Sequence, residues 1–259
     1  MYAGARGDVQ NNPHTNGEYA LVNRLAALWK DSDGPVVLDV GANIGNWSAE
    51  LLRSCRDRGV RPSVHAFEPC SSTYAALADR FKGVAAITTH RIALGDSRAT
   101  VELAVEAPLA GTNSLACRHG GLRETVTVDT VDDFLLSHAV ARVSMVKTDT
   151  EGFDFHVMRG ARHALADRMI DLWQFEYNWR WIDCRHFLRD VFDLADKCGY
   201  EVGKVTTGGK IDVYETWSPE LERFFEANYV LVRCDSWCGS LCTRYRLNRS
   251  NLLERLSRD

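Results

Sequence analysis

Leu38-Asp39-Val40-Gly41-Ala42-Asn43-Ile44-Gly45-Asn46 is the stretch whose reading decides the fold. It starts inside Val36-Val37-Leu38-Asp39-Val40, an apolar run that follows Gly34-Pro35, the pattern of a strand buried on both faces. It ends where the segment Asn46 to Cys55 reads as a helix, so the whole is a strand, a glycine turn and a helix. Glycines at such a turn let backbone approach a ligand closely, and the helix N-terminus offers unpaired N–H groups to a carboxylate or phosphate. A pyrophosphate site has G-x-G-x-x-G, whereas here Gly41 and Gly45 are four apart with Asn43 between them. Asp39, just before the turn, suits a cationic ligand with an amino group better than a pyrophosphate.

The same alternation continues outward. Leu21, Leu25, Leu28 and Trp29 recur at helical spacing over Glu18 to Trp29, an amphipathic helix expected to lie across the sheet. Ser63 to Glu68 reads as a second strand, Ser72 to Phe81 as a helix, and Ala86 to Ile92 as a third strand. Thr100 to Val105 and Glu124 to Val128 read as an inserted β-hairpin beside the ligand crevice. Val143 to Lys147 resumes the core, followed by a helix from Phe155 to Ala166, a strand from Leu172 to Tyr177 and a helix from Phe187 to Cys198. Residues 199–202, 210–214 and 229–233 are candidate closing strands, at least two of them antiparallel. The expected fold is a doubly wound, mostly parallel Rossmann-like α/β sheet with right-handed crossovers. It is expected as a single domain over 1–259: a cap segment 1–33, a core 34–233 and an extension 234–259.

Composition narrows the class. The chain has 259 residues, 45% hydrophobic and 25% charged, enough for a sizeable core. A formal charge of −4 argues against a general nucleic-acid binder, so a small-molecule partner is expected. Met1 to Asn12 do not read as a secretory signal, and no apolar run approaches the ~20 residues of a membrane span. Eight scattered cysteines suit a reducing compartment, and a soluble cytoplasmic protein is expected. Cys234, Cys238 and Cys242, spaced by four, would stack on one face of a helix. They lack a fourth ligand and the two-residue spacing of metal sites, so a packing face is expected. The stretch Thr243 to Asp259, with five arginines against two acids, is read as a terminal helix on the body or on a second copy in a homodimer, or as a solvated basic face.

The acids at strand ends carry the chemistry. Glu68 ends the second strand about two dozen residues after Gly45, where a carboxylate can accept both hydroxyls of a ribose. With the glycine turn it favours an adenosyl ligand. Leu94-Gly95-Asp96 follows the third strand, at a position from which a side chain can reach an adenine edge. In Lys147-Thr148-Asp149-Thr150-Glu151-Gly152-Phe153-Asp154, Asp149 and Glu151 are expected to face the reactive end of the ligand, while Asp154 suits a helix N-terminus. Glu176-Tyr177-Asn178 places another acid and amide at the same sheet edge.

Taken in order, Asn16-Gly17-Glu18, Asp39 to Gly45, Phe67-Glu68-Pro69, Ala93-Leu94-Gly95-Asp96, Asn113-Ser114-Leu115 and Lys147 to Gly152 resemble the FkbM family of class I methyltransferases. The resemblance runs from about Asn16 to Tyr177, and Thr148 stands where the family more often has an apolar residue. It implies S-adenosylmethionine as methyl donor and O-methylation of sugars, polyketides or other natural products. It places Glu68 on the ribose and the glycine turn around the methionine part. The expected cofactor-binding set is Asp39, Gly41, Ala42, Asn43, Gly45, Asn46, Glu68, Pro69, Leu94 and Asp96; Glu18, Asn113, Ser114 and Asn178 are expected on the acceptor.

An alcohol is a poor nucleophile until something takes its proton. Asp149, Glu151, His156 and Glu176 are the candidate general bases. Alternatively Asp149, Glu151 and Glu176 or Asn178 would hold Mg²⁺ to lower the hydroxyl's pKa; a metal-free base is preferred. A nicotinamide-dependent oxidoreductase and a non-catalytic adenosyl-ligand binding protein are the rival readings.

Overall fold

In the computed structural model, which describes residues 11–105, 115, 122–248 and 250–256, the run Val36–Val40 forms β1, third from one edge of a ten-stranded sheet. On one side of β1 lie β2 (Ser63–Phe67) and the edge strand β3 (Ile87–His90), both parallel to their neighbours. On the other lie β7 (Met145–Thr148) and β8 (Leu172–Tyr177), also parallel. Beyond β8 come β11 (Ala227–Val232), β9 (Glu201–Val205), β10 (Ile211–Tyr214), β12 (Cys242–Leu247) and β13 (Leu253–Arg255). There β11 runs antiparallel to both neighbours, and β9–β10 and β12–β13 are antiparallel pairs. A second sheet of three strands is built from β4 (Ala93–Leu94), β5 (Ala99–Val105) and β6 (Leu122–Asp129), the expected hairpin with one short parallel strand added.

Strand side chains alternate between faces, so an apolar strand needs a cover on each side. Val37 of β1 packs with Leu21 and Leu25 of α1 (Glu18–Leu28) and Leu51 of α2 (Asn46–Arg56), next to Leu77 of α3 (Ser71–Arg80). Leu38 and Val40 belong to the opposite core. It is built with Phe134 of α4 (Val131–Ser137), Val157 of α5 (Asp154–Arg159), Leu165 of α6 (Arg162–Ala166) and Val191 of α7 (Leu188–Cys198). Helix α1 is locked down by the β9–β10 turn: a Cβ on Gly17 would fall 1.9 Å from the Thr206 carbonyl oxygen, and Arg24 Nε donates to the Gly208 carbonyl at 2.6 Å.

Several expectations are corrected. The basic C-terminal stretch is not a helix; Cys242–Leu247 and Leu253–Arg255 form the β12–β13 hairpin, because pairing with β10 satisfies backbone groups that an isolated short helix would expose to water. Cys234, Cys238 and Cys242 do not share a helix face, since Trp237–Leu241 is a 3-10 turn and Cys242 opens β12; Cys238 is buried in the core. The helix expected over Phe155 to Ala166 is two short helices broken at Gly160. A Cβ there would meet the Gly95 carbonyl oxygen at 1.9 Å. The third strand ends at His90 in the large sheet, and Ala93–Leu94 pairs in the small one. Helix α4 has no counterpart among the expected elements; Thr130 caps it by accepting from Asp133 N at 3.0 Å. Among the described residues no helix is long and apolar enough to cross a membrane.

Candidate active site

Where β1 turns into α2, the amides of Gly41 and Ala42 both donate to the Phe67 carbonyl, at 3.0 and 2.9 Å, which draws the turn against the end of β2. Gly41 and Gly45 each have φ +80°, and a Cβ on Gly41 would sit 2.0 Å from the Asp149 carbonyl oxygen. The glycines are therefore demanded by packing between strand ends as well as by any ligand. Asn43 takes the left-handed region at φ 49° and donates its amide to Glu68 Oε2 at 3.1 Å. Glu68 Oε1 accepts from Cys70 N at 2.9 Å. Glu68 as a residue is 7% exposed, and burial pushes its pKa up to about 7.

These elements wall a cleft that opens to solvent at its mouth. Gly41, Asn43, Glu68, Pro69 and Leu94 line it from the expected cofactor set, and Asp149 lines it from the expected catalytic set. Phe67, Ile92, Leu103, Leu115 and Phe153 supply apolar walls. The other expected cofactor residues stand away from the lining. Asp39 is 1% exposed and accepts the Ser48 hydroxyl at 2.6 Å; Gly45 packs toward Phe81 and Leu77; Ala42 is buried; Asn46 Oδ1 accepts from Arg80 at 2.7 Å. Asp96 is turned to His156 Nδ1 at 3.4 Å and Arg159 at 3.7 Å.

The expected catalytic acids meet at the ends of β7 and β8 but have different partners. Asp149 Oδ2 lies 3.0 Å from Lys147 Nζ. Glu151, in the left-handed region at φ 55°, pairs with Arg180 Nε at 2.7 Å, and burial raises its pKa to about 7. Among the described residues Glu176 accepts only from amides, Asn11 at 2.7 Å and Asn178 at 2.8 Å; burial beside Asp149 and Glu151 pushes it up to about 9. His156 stacks on Phe153 and turns to Asp96, with burial lowering its pKa. Glu18, half-buried, lies against Gln174 and Lys147, and desolvation raises its pKa to about 7. Asn178 is 2% exposed and bonded to Glu176 and Arg180 N. Asn113 and Ser114 lie outside the described residues. The Mg²⁺ alternative is not supported: among the described residues no three acid, histidine or cysteine side chains are arranged to hold a metal, and Arg180 already occupies Glu151.

Two site cations, Lys147 and Arg180, have no role in the reading of the sequence. A lysine inside the apolar run Val146-Lys147-Thr148 is the signal that marks the first, since a buried strand carries a charge only against a partner. Nothing local marks Arg180.

A sheet ordered β3-β2-β1-β7-β8, with an acid at the end of β2 and no pyrophosphate turn after β1, defines the Rossmann-like class of the S-adenosylmethionine-dependent methyltransferases. Within that class the chain belongs to the FkbM methyltransferase family, whose domain model matches residues 39–202. Among solved structures it is similar to a methyltransferase FkbM from Methylobacillus flagellatus, with TM-score 0.51 and 17% identity over 80% of this chain. It spans 47% of that protein's chain. A precorrin-6y C5,15-methyltransferase from Geobacter metallireducens aligns with TM-score 0.40 and 13% identity, over 82% of this chain and 86% of the other. An Aeropyrum pernix fibrillarin with natively bound S-adenosyl-L-methionine aligns with TM-score 0.41 and 16% identity, over 83% of this chain and 76% of the other. No curated protein sequence matches the chain significantly.

Proposed function

We propose that the protein passes a methyl group from S-adenosylmethionine to a hydroxyl oxygen of a small molecule, a sugar or another natural product, in the cytoplasm. The observation that carries this reading is the Glu68 carboxylate, fixed at the end of β2 by Asn43 N and Cys70 N in a cleft that Asp149 also lines. The donor set suits an adenosyl group: a strand-end carboxylate for paired ribose hydroxyls, and Leu94, Leu103 and Phe153 as apolar walls for a flat base. When bound, the cofactor supplies a methyl carbon activated by a sulfonium.

The protein's own part is alignment and proton removal, and bringing reacting atoms within ~3–3.5 Å is most of the task. Asp149 is the acid of the β7–β8 edge that lines the cleft, and Lys147 holds its Oδ2. Its Oδ1 would take the hydroxyl proton as the acceptor oxygen gains its bond to carbon. Glu151 is committed to Arg180, and Glu176, with its high pKa, holds its proton at neutral pH.

Asp149→Asn keeps the shape and removes the base, so turnover falls by roughly 10²–10⁴. The measurement is release of S-adenosylhomocysteine across a panel of hydroxylated sugars and polyketides, with and without EDTA. A variant with near-normal turnover overturns the role of Asp149, and failure of the wild type to release that product with any acceptor favours a binding protein over an enzyme.

A further inference from the structure

Strand β7 is buried, yet its third residue is a lysine, and Lys147 is only 5% exposed. An ammonium survives out of water only where opposing charges and hydrogen bonds replace its hydration. Lys147 stands directly opposite Asp39 in the parallel register of β7 and β1, so both side chains leave the sheet on the same face. Its Nζ lies 3.0 Å from Asp149 Oδ2, 3.8 Å from Glu18 Oε1 and 5.8 Å from the centroid of the Trp47 ring. Three carboxylates from three elements thus share one cation. Two of them are held away from the cleft: Glu18 accepts from Gln174 Nε2 at 3.3 Å, and Asp39 from the Ser48 hydroxyl at 2.6 Å. The third, Asp149, has a side chain 41% exposed and lines the cleft.

We infer that Lys147 is a positioning residue for Asp149: its ammonium pins Oδ2, fixes the side-chain rotamer, and leaves Oδ1 as the oxygen offered to the acceptor hydroxyl. The inference rests on the reading of Asp149 as proton acceptor and adds to it the device that holds that carboxylate in place among other acids. Those acids come from every neighbouring element: Glu18 from α1, Asp39 from β1, Glu151 from the loop after β7, Asp154 from α5 and Glu176 from β8. The other cation nearby, Arg180, is engaged by Glu151 at 2.7 Å. Glu18, on α1, stands farther from the ammonium, at 3.8 Å, than Asp149 at 3.0 Å, so the cleft carboxylate is its nearer partner.

The test is a carboxyl titration by NMR of the full chain labelled with ¹³C at aspartate carboxyls, the Asp149 signal being assigned by its loss in Asp149→Asn. Removing an opposite charge at this range raises a carboxyl midpoint by about 1–3 pH units, the shift expected in Lys147→Met. Lys147→Arg, which keeps the charge, restores a midpoint close to that of the wild type. A folded Lys147→Met with the wild-type midpoint overturns the pair; should that variant not fold, Lys147→Gln, which keeps a polar group at the buried position, is read in the same way and an unmoved midpoint there overturns it equally. The acid limb of turnover, followed by S-adenosylhomocysteine release, moves with the NMR midpoint when Asp149 takes the proton. A midpoint that moves while the limb stays overturns the catalytic purpose of the pair and the base assignment, and leaves only the charge coupling.

Discussion

The backbone amide of Asn43 donates to Glu68 Oε2 at 3.1 Å, so the glycine turn after β1 and the acid that ends β2 are one unit. Residues 25 apart in sequence are joined because parallel β1 and β2 end at the same edge, Val40 opposite Phe67. A change in either residue is felt in the other.

Glu68→Gln keeps the size of the side chain and loses its charge. S-adenosylmethionine binding should weaken by about 1–3 kcal/mol, the worth of a hydrogen bond to a charged group. Titration calorimetry checks this, with circular dichroism to show that the variant is folded; unchanged affinity removes Glu68 from the site.

The pH dependences of binding and of stability should oppose each other. Glu68, Glu18 and Glu151 are raised to about 7, Asp154 to about 6 and Glu176 to about 9, in each case chiefly by burial. A carboxyl whose folded pKa lies above its unfolded value stabilises the fold fully at pH below the unfolded value, and loses that contribution as pH rises through the folded one. The ligand-free protein should therefore melt lower at pH 9 than at pH 6.5. Cofactor affinity should fall in the opposite direction, as pH drops below about 7 and Glu68 takes up a proton. Melting curves and calorimetry across this range read both, and Glu68→Gln flattens the second.

Gly41→Ala is expected to destabilise the fold, which makes it a poor probe of cofactor contact. With φ at +80° and the Asp149 carbonyl oxygen 2.0 Å from the added Cβ, the ends of β1 and β7 must part. The cost should exceed about 2 kcal/mol, from the left-handed backbone and the displaced strand together. Chemical denaturation measures it, and a variant of wild-type stability would show that the strand ends yield freely.

Glu222 acts as a distant cap. It accepts from Leu188 N at 3.2 Å and Arg189 N at 2.8 Å at the start of α7, from Trp217 Nε1 at 2.8 Å, and from the Tyr177 hydroxyl. Glu222→Ala leaves these donors without their acceptor and should cost about 1–3 kcal/mol. The loss should appear in the unfolding free energy with little change in cofactor affinity, because Glu222 does not line the cleft.

The central strands, the glycine turn, the edge position of Glu68 and the helices flanking β1 were legible in the sequence because each is a local matter: apolar period, turn residues and strand ends recur within a few positions. The C-terminal hairpin was not, since a short polar stretch becomes a strand only when a partner edge such as β10 is offered to it. The break at Gly160 is likewise imposed from afar, by the Gly95 backbone. Residue identity in the site was partly legible, but direction was not. Asp96 turns to His156 and Arg159, Asn46 to Arg80, and Glu18 inward to Lys147, each drawn by a charge or hydrogen bond from a distant part of the chain. The amino-acid sequence by itself determined which elements form and which acids stand at strand ends, through periodicities a few residues long. Only the tertiary structure decided which acid keeps its face to the cleft, because the pairing of Lys147 with Asp149 and of Arg180 with Glu151 depends on electrostatics across strands and loops that close packing alone brings within reach.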